Sequence, residues 1–598
     1  MKLAITGVGV LSAGGRGVEA LRCAPQLGPL PEAVGAGLPM QVGGRFPEAE
    51  VPAADPRRAF LAAGLALDDA LAAAGSPPCE LILGTGLGPM ELQLARFADP
   101  PAPGQLTDAL PSSLTAELAR TRGLRAGPTF CVTCVSASYG LEAARAALAG
   151  GRVEAVALLG VETLNRQIQG GFCALDALAK DYAPGGPPPR DGIVLGEAAC
   201  CVILEPLARA RARGAQVLGV LHAARVWVDA THLIAPDPGG AGLGRALDAA
   251  LADAGLELGE VDALTLTADG SPLYAETYRA ALEPRFPAWR ARVESWETGG
   301  GHALAASGSL GLAWAVGRPQ PGWTVNLTVG FGGQNAVSVV GPPPAEDPPL
   351  ALGEDPGWSA CAWATAGAPD LEDRFAPRWN PRRPLPAELR PAVEAGWSAL
   401  EAAGWARAPG DPVDGGLLLA VDRPGFAAAE RFAQQLGSTT TSRPAPFIAS
   451  LPSTPAGTLG LLFGLHAYQA TISHPELAPL YALQHARDLL RAGTLRRVLL
   501  VALSTREPAA QARWDGAPEE ARFAVALTLE RGVGELRIGP VNPEREAGSE
   551  SAAGPLLADL SPSYRGLPAA GLLAVTRATA PGSSWAGGWI ELHEGGPA

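Results

Sequence analysis

Cys134 stands in the run Thr129-Phe130-Cys131-Val132-Thr133-Cys134-Val135-Ser136-Ala137-Ser138-Tyr139-Gly140, ahead of the alanine-rich stretch Leu141 to Leu148 and the apolar stretch Val153 to Gly160. The pattern predicts a strand, a tight turn carrying the cysteine, a helix and a second strand. A thiol at a helix N-terminus faces unpaired backbone N–H groups and the positive end of the helix dipole, and both favour a thiolate. That chemistry is nucleophilic attack. The local pattern alone leaves a second reading open, a buried structural cysteine, because free cysteine is among the most buried residue types. Cys131 and Cys134 also form a CxxC, but no second CxxC or nearby histidine completes a zinc set, so neither metal nor redox use is expected.

The elements that must position Cys134 belong to a large chain. At 598 residues it exceeds a single hydrophobic core, and 47% hydrophobic with 18% charged residues describes a globular protein, not a disordered one. A net charge of -14 counts against nucleic acid as the main partner, since phosphate backbones need a basic footprint. The eight cysteines show no disulfide framework, which fits a reducing cytoplasm. Met1 to Gly15, with one lysine and glycines at 7, 9 and 14, reads as a first strand and turn, not a signal peptide. No uninterrupted apolar run is long enough for a membrane span.

The chain also repeats itself. Leu110-Pro111-Ser112 opens a helix leading to Thr129, Cys134, a second helix, the Ala149-Gly150-Gly151 stop and the strand Val153 to Leu159. Leu451-Pro452-Ser453 opens the same order, through Thr471, a helix at Leu477 to Leu490, the Ala492-Gly493 stop and the strand Val498 to Leu503. Upstream, the helix at Pro56 to Ala74 and the strand Glu80 to Gly84 are echoed by Pro386 to Gly404 and Gly416 to Ala420. A proline-rich stretch over 341–357 separates the copies, which predicts one domain over 1–340 and a second over 358–598. Alternating strands and helices that stop at glycines give an α/β class with largely parallel sheets, whose active groups gather at the carboxyl ends of strands.

Several islands, in this order, carry a family resemblance: the Cys134 turn, Gly160-Val161-Glu162, Gly170-Gly171-Phe172, Arg190-Asp191-Gly192-Ile193-Val194-Leu195-Gly196-Glu197, Asp229 with His232, Gly301-His302, and Gly330-Phe331-Gly332-Gly333-Gln334-Asn335. With them the first 340 or so residues resemble the elongating β-ketoacyl-acyl-carrier-protein synthases. The resemblance implies the layered α-β-α-β-α thiolase fold, and residues after about 350 resemble only the N-terminal half of such a synthase. It implies that Cys134 takes an acyl group from carrier protein, that His302 assists a malonyl unit to lose carbon dioxide, and that Phe331, Gly332 and Asn335 border the substrate. It calls for no cofactor and no metal. The partner it implies is an acyl carrier protein bearing a phosphopantetheine-linked acyl or malonyl group.

The departures from the family carry as much information. Ala268-Asp269-Gly270-Ser271 puts Asp269 where the family has its first histidine, and Glu297 replaces a lysine five residues before the Gly-His pair. An ionised carboxylate only accepts hydrogen bonds and opposes a developing enolate, so both replacements count against ordinary condensation. Two nearby carboxylates in a desolvated pocket can also leave one protonated as a donor. Val329, in place of a gating phenylalanine, implies a wider acyl pocket. In the second copy the cysteine position falls on Glu476, beside His474, where no thiol is available and a capping role is the ordinary reading for the histidine. Three readings follow: a synthase-type acyltransferase that loads acyl groups onto Cys134 and condenses them through an altered site, an enzyme that keeps acyl transfer or thioester hydrolysis without decarboxylative condensation, or a non-enzymatic, chain-length-factor-like subunit that partners a catalytic synthase. The second copy is further expected to dock on the first as an intramolecular pseudo-dimer.

Overall fold

The structure is a computed structural model that describes residues 1–23, 26–35, 37–98, 108–180, 182, 189–268, 270–320, 322–346, 356–364, 367–380, 382, 384–406, 408, 413–423, 425–438, 443–506, 521–531, 535–538, 583–585 and 588–593. The chain forms two compact units. The first gathers Met1–Asp99, Ser113–Pro349 and Gly425–Pro452, and the second gathers Pro100–Ser112, Leu350–Pro424 and Ser453–Ala598. The division does not fall at one point of the chain, because Gly425–Pro452 packs with the first unit.

Beside three short strands near its start, the first unit is built on β1 (Leu3–Ser12), β2 (Glu80–Gly84), β3 (Arg125–Phe130), β4 (Val156–Glu162), β5 (Ala198–Pro206), β6 (Gly219–Val228), β7 (Ala263–Leu266), β8 (Val293–Glu294), β9 (Thr324–Gly330) and β10 (Gln334–Gly341). The spatial order β3-β2-β4-β5-β1 is repeated by β8-β7-β9-β10-β6. In each half the first four strands in chain order pair in parallel where they meet, and the fifth in chain order runs antiparallel to both of its neighbours. The halves join where Leu3–Ile5 of β1 pairs antiparallel with Gly219–Leu221 of β6.

Two helices lie at the centre, α2 (Ser136–Ala149) and α6 (Ser307–Val316), while α1 (Arg58–Ala74), α4 (Ala241–Ala254) and α5 (Pro272–Leu282) cover the outer faces. The sequence of α6, Ser-Gly-Ser-Leu-Gly-Leu-Ala-Trp-Ala-Val, is apolar all round, and a helix with no polar face must be buried on every side. Every residue of it but Val316 is buried. At Gly308 a Cβ would stand 2.4 Å from Ser138 Oγ and 2.6 Å from its backbone N, so glycine is what lets the N-terminal turns of α2 and α6 meet. These layers make the thiolase-like α/β fold, helix-sheet-helix-sheet-helix.

The second unit repeats the strand order once more. Its strands β11 (Pro356–Ala364), β12 (Gly416–Val421), β13 (Tyr468–Ser473), β14 (Arg497–Arg506) and β15 (Ala521–Arg531) run β13-β12-β14-β15-β11, with the fifth again antiparallel. Helices α7 (Arg390–Ala402), α10 (Thr454–Phe463) and α11 (Ala478–Arg491) pack on it; the intervening α8 (Phe426–Ser438) and α9 (Pro444–Ser450) belong to the first unit. One half-fold thus occurs three times. The sequence reading found the first and third copies and missed the one over 219–341, where β8 is only two residues long and gives no periodic signal.

Candidate active site

Strand β3 ends at Phe130, and the chain turns through Thr133–Val135 before α2 begins at Ser136. Thr133 has φ of 50°, a left-handed conformation that costs a β-branched residue roughly 1–3 kcal/mol and persists only when its surroundings over-determine it. Ser136 supplies that constraint. Its Oγ accepts from the Val132 N–H at 2.8 Å and donates to the Thr133 carbonyl at 2.7 Å. Cys134 is thereby held just ahead of a 14-residue helix, buried to 3% exposure. Ala268, at the end of β7, and Leu304, two residues past His302, share the left-handed conformation, with φ of 52° and 48°.

His302 follows β8 through the short helix Glu297–Gly300 and a turn at Gly301. Its backbone is gripped on both sides: the His302 N–H donates to Val194 O at 2.7 Å and the Gly196 N–H donates to His302 O at 2.9 Å. The Arg190 to Glu197 island therefore serves as a clamp for the histidine. Glu197 anchors that clamp, accepting from both Arg58 guanidinium nitrogens at 2.5 and 2.8 Å and from the Phe46 and Leu164 N–H groups at 2.8 and 2.9 Å. Breaking one partner of such a buried pair is costly because the other is left uncompensated.

Glu297 is bonded to His302. One carboxylate oxygen lies 2.6 Å from His302 Nδ1 and the other accepts the Ala268 N–H at 2.7 Å. Since a carboxylate only accepts, Nδ1 carries the proton. Nε2 is buried and makes no hydrogen bond of ordinary geometry. Burial works to lower the ring's pKa, but the Glu297 carboxylate and the nearby Cys134 sulfur overcome it and push His302 up to about 10. Asp269 lies outside the described residues.

Cys134 and His302 line one recess of about 550 Å³ together with Tyr274, Ile193, Phe172 and Phe331. A second recess of about 320 Å³ begins at Cys134 and runs past Thr133, Glu162, Ile168 and Phe172 to Phe447 and Leu451. Phe331 borders both and stacks on Phe172 at 5.2 Å. The far wall comes from α8 and α9, which pack on the helix α3 (Arg166–Ala174). Arg166 and Gln167 donate to the carbonyls of Leu436 and Ala429 at 3.1 Å each. A Cβ on Gly171 would stand 2.2 Å from the Phe447 ring, so glycine is needed there for that ring to reach the recess. Burial pushes the Glu162 carboxyl up to about 8; its Oε2 accepts the Gly86 N–H at 2.7 Å and its Oε1 is without a partner.

Other residues singled out from the sequence stand elsewhere. Val329 is buried in β9, its N–H 3.3 Å from Thr267 Oγ1, and is not among the residues lining the two recesses. Gly332 has φ of 78° in the β9–β10 turn. Asn335 donates to Asp229 at 3.0 Å and to the Gly333 carbonyl at 2.9 Å, which ties that turn to the Asp229 loop. Burial pushes Asp229 up to about 6. Tyr274, Phe447 and Leu451 are site residues that sequence reasoning did not find; the last two sit some 300 positions from Cys134, with only their apolar character as a signal. In the second unit His474 does not cap the helix that starts at Ala478 but closes the turn ahead of it: its Nδ1 accepts the N–H groups of Glu476 and Leu477 at 3.1 and 2.9 Å, and Glu476 is exposed. Among the described residues no His, Cys, Asp and Glu cluster could hold a metal, and no helix is long and apolar enough to cross a membrane.

The arrangement is that of a condensing-enzyme fold carrying a thiol and an imidazole at the carboxyl ends of the third strands of its two halves. Residues 45–210 match the family description "Beta-ketoacyl synthase, N-terminal domain" and residues 218–318 match "Beta-ketoacyl synthase, C-terminal domain". Within residues 45–318 the chain is thus similar to the β-ketoacyl synthases. It is 26% identical to 3-oxoacyl-[acyl-carrier-protein] synthase 2 of Mycobacterium tuberculosis over 319 residues, which covers 45% of this chain and 76% of that protein. It is 31% identical to nodulation protein E of Rhizobium meliloti over 219 residues, covering 36% of this chain and 54% of that one. The solved PfaC keto synthase-chain length factor shares its fold over 93% of this chain and 82% of that one, with a TM-score of 0.72 at 14% identity.

Proposed function

We propose that this protein is a β-ketoacyl synthase-type acyltransferase that accepts an acyl group from a carrier protein's phosphopantetheine thiol onto Cys134. The observation that carries the reading is the placement of Cys134. Its sulfur sits on a strained turn ahead of a long helix, shares one recess with His302 and opens into a second, apolar recess of the kind that suits an acyl chain. In this reading Phe331 borders the path between the two recesses, and the cytoplasm, where carrier proteins operate, is the setting. The name of the mycobacterial relative supports acyl-carrier-protein thioesters as the substrate class.

Whether the acyl group is then extended depends on the second half-reaction, where Asp269 and Glu297 replace groups that would stabilise an enolate. The second unit, with Glu476 where a thiol would stand, is the non-catalytic part, comparable to the chain length factor named in the PfaC structure. Intact-protein mass spectrometry after incubation with acyl- and malonyl-carrier protein tests the reading. An acyl increment that maps to Cys134 is expected; an increment elsewhere, or none, overturns it.

A further inference from the structure

We propose that Glu297, His302 and Cys134 form a relay that passes the acyl group from Cys134 to water, so that this chain hydrolyses the acyl thioesters it accepts. The inference rests on acylation of Cys134. Its starting point is which nitrogen of His302 can act. Glu297 occupies Nδ1 as a hydrogen-bond acceptor at 2.6 Å and so fixes the proton there, which leaves Nε2 as the working atom. A lysine in the same place could only donate, and would turn Nδ1 into the acceptor and Nε2–H into a donor. The residue at position 297 therefore decides whether neutral His302 offers its reaction partner a hydrogen or a lone pair. With glutamate it offers a lone pair, as a general base does.

The carboxylate is itself held, by the Ala268 N–H on its second oxygen at 2.7 Å, so the ring is oriented from behind by a group that cannot swing away. Nε2 is buried without a hydrogen bond of ordinary geometry, and the ring shares its recess with Cys134. A nucleophile, a base and an orienting carboxylate in series are the parts a thiol-dependent hydrolase needs. The raised proton affinity of His302, which burial opposes and Glu297 and Cys134 produce, supports an imidazolium beside Cys134 in the resting site.

The steps balance. The Cys134 thiolate attacks the donor thioester carbonyl; the bond from that carbon to the donor sulfur breaks, and the leaving thiol takes the proton on Nε2. His302 is then neutral. Water attacks the acyl-Cys134 carbonyl and gives one proton to Nε2; the carbon–sulfur bond to Cys134 breaks, and the thiolate returns beside the imidazolium. One thioester and one water become one carboxylic acid and one thiol. Glu297 touches none of these reacting atoms and is a positioning residue. Among the described residues, the titratable groups that line the recesses of His302 are Cys134, Tyr274, Tyr182 and Glu297.

The test uses the full chain with a long-chain acyl thioester of N-acetylcysteamine, following free acid by mass spectrometry and acyl-Cys134 on the intact protein. Wild type is expected to show a transient increment on Cys134 and continuous release of acid. Glu297→Gln keeps an acceptor on Nδ1 but removes the charge; acid released per acylated molecule is expected to fall about a hundredfold. Acylation in that variant is expected to fail at a lower pH on the alkaline side, because an imidazolium without its carboxylate loses its proton sooner. Glu297→Lys is expected to accumulate acyl-Cys134. Reading acid per acylated molecule keeps a partly unfolded variant informative. The relay is overturned if wild type forms acyl-Cys134 that persists without acid, or if Glu297→Gln releases acid at the wild-type rate. Absence of any increment overturns the acylation reading itself.

Discussion

The turn after β3 and the turn after β13 hold the same place in the same strand order, and they have become different objects. In the first, Thr133 is strained, Cys134 is buried, and two recesses meet at its sulfur. In the second, His474 spends its Nδ1 on two backbone N–H groups of the turn itself, those of Glu476 and Leu477, and Glu476 is exposed. The first turn stores strain beside two recesses; the second ties its polar side chain into its own backbone. Strand order fixes where chemistry can occur, and the residues on the turn decide whether it does.

The sharpest way to break this comparison is to exchange the residues. Cys134→Ala should abolish the acyl increment completely, while Glu476→Ala leaves it unchanged. Glu476→Cys should gain no increment, since a side chain there is exposed where that of Cys134 is buried; labelling of that variant would show that the turn's surroundings matter less than its place in the fold. Next in size is decarboxylation. Release of carbon dioxide from malonyl-carrier protein should fall about a hundredfold to a thousandfold below that of a synthase with two histidines, the usual cost of losing one oxyanion donor. Asp269→His with Glu297→Lys should restore part of it.

Smaller effects test the wall of the apolar recess. Phe447→Ala removes a buried ring and should cost about 3–5 kcal/mol in stability, read by thermal or denaturant unfolding, while Cys134 accepts longer acyl groups. Gly171→Ala forces that ring aside and should cost about 1–3 kcal/mol without lengthening the accepted chain. The smallest effects distinguish the two histidines by sign. His302, pushed up to about 10, contributes stability that is complete below an ordinary histidine pKa of about 6.5 and is lost as pH rises through 10. His474, pushed down to about 4 by burial, contributes stability that is present above about 6.5 and is lost as pH falls through 4. Unfolding midpoints against pH for His302→Gln and His474→Gln should therefore part from wild type in opposite directions.

The Cys134 turn was legible in the sequence because a strand ending at Phe130 and an alanine-rich helix leave only a short connection between them. The duplicated half was legible for a similar reason: its glycine stops and Leu-Pro-Ser openings recur at matching places. The bond between Glu297 and His302 was not. The two residues are separated by a one-turn helix and the left-handed Gly301, φ 82°, and no periodicity announces that such a connection folds a carboxylate back onto a ring. Glu297 looked from sequence like a charge opposing the reaction, whereas the structure shows its charge already engaged by His302 and the Ala268 N–H. The wall formed by Phe447 and Leu451 was invisible because the pattern of apolar residues reports that a helix has a buried face and says nothing of what it faces.

The membership of Gly425–Pro452 in the first unit has a consequence for how the protein comes into being. A ribosome that has released the strands of the first unit has yet to make the segment bearing Phe432, Leu436, Phe447 and Leu451. At about 5–20 residues per second this interval lasts several seconds. Throughout it the hydrophobic cluster containing Cys134, Ile168 and Phe172 lacks one wall. The nascent chain thus carries a cysteine thiol with an unfinished recess beside it, and that recess closes only after synthesis has passed well into the second copy. A fragment ending at residue 340 stops at that stage, an apolar face without its cover.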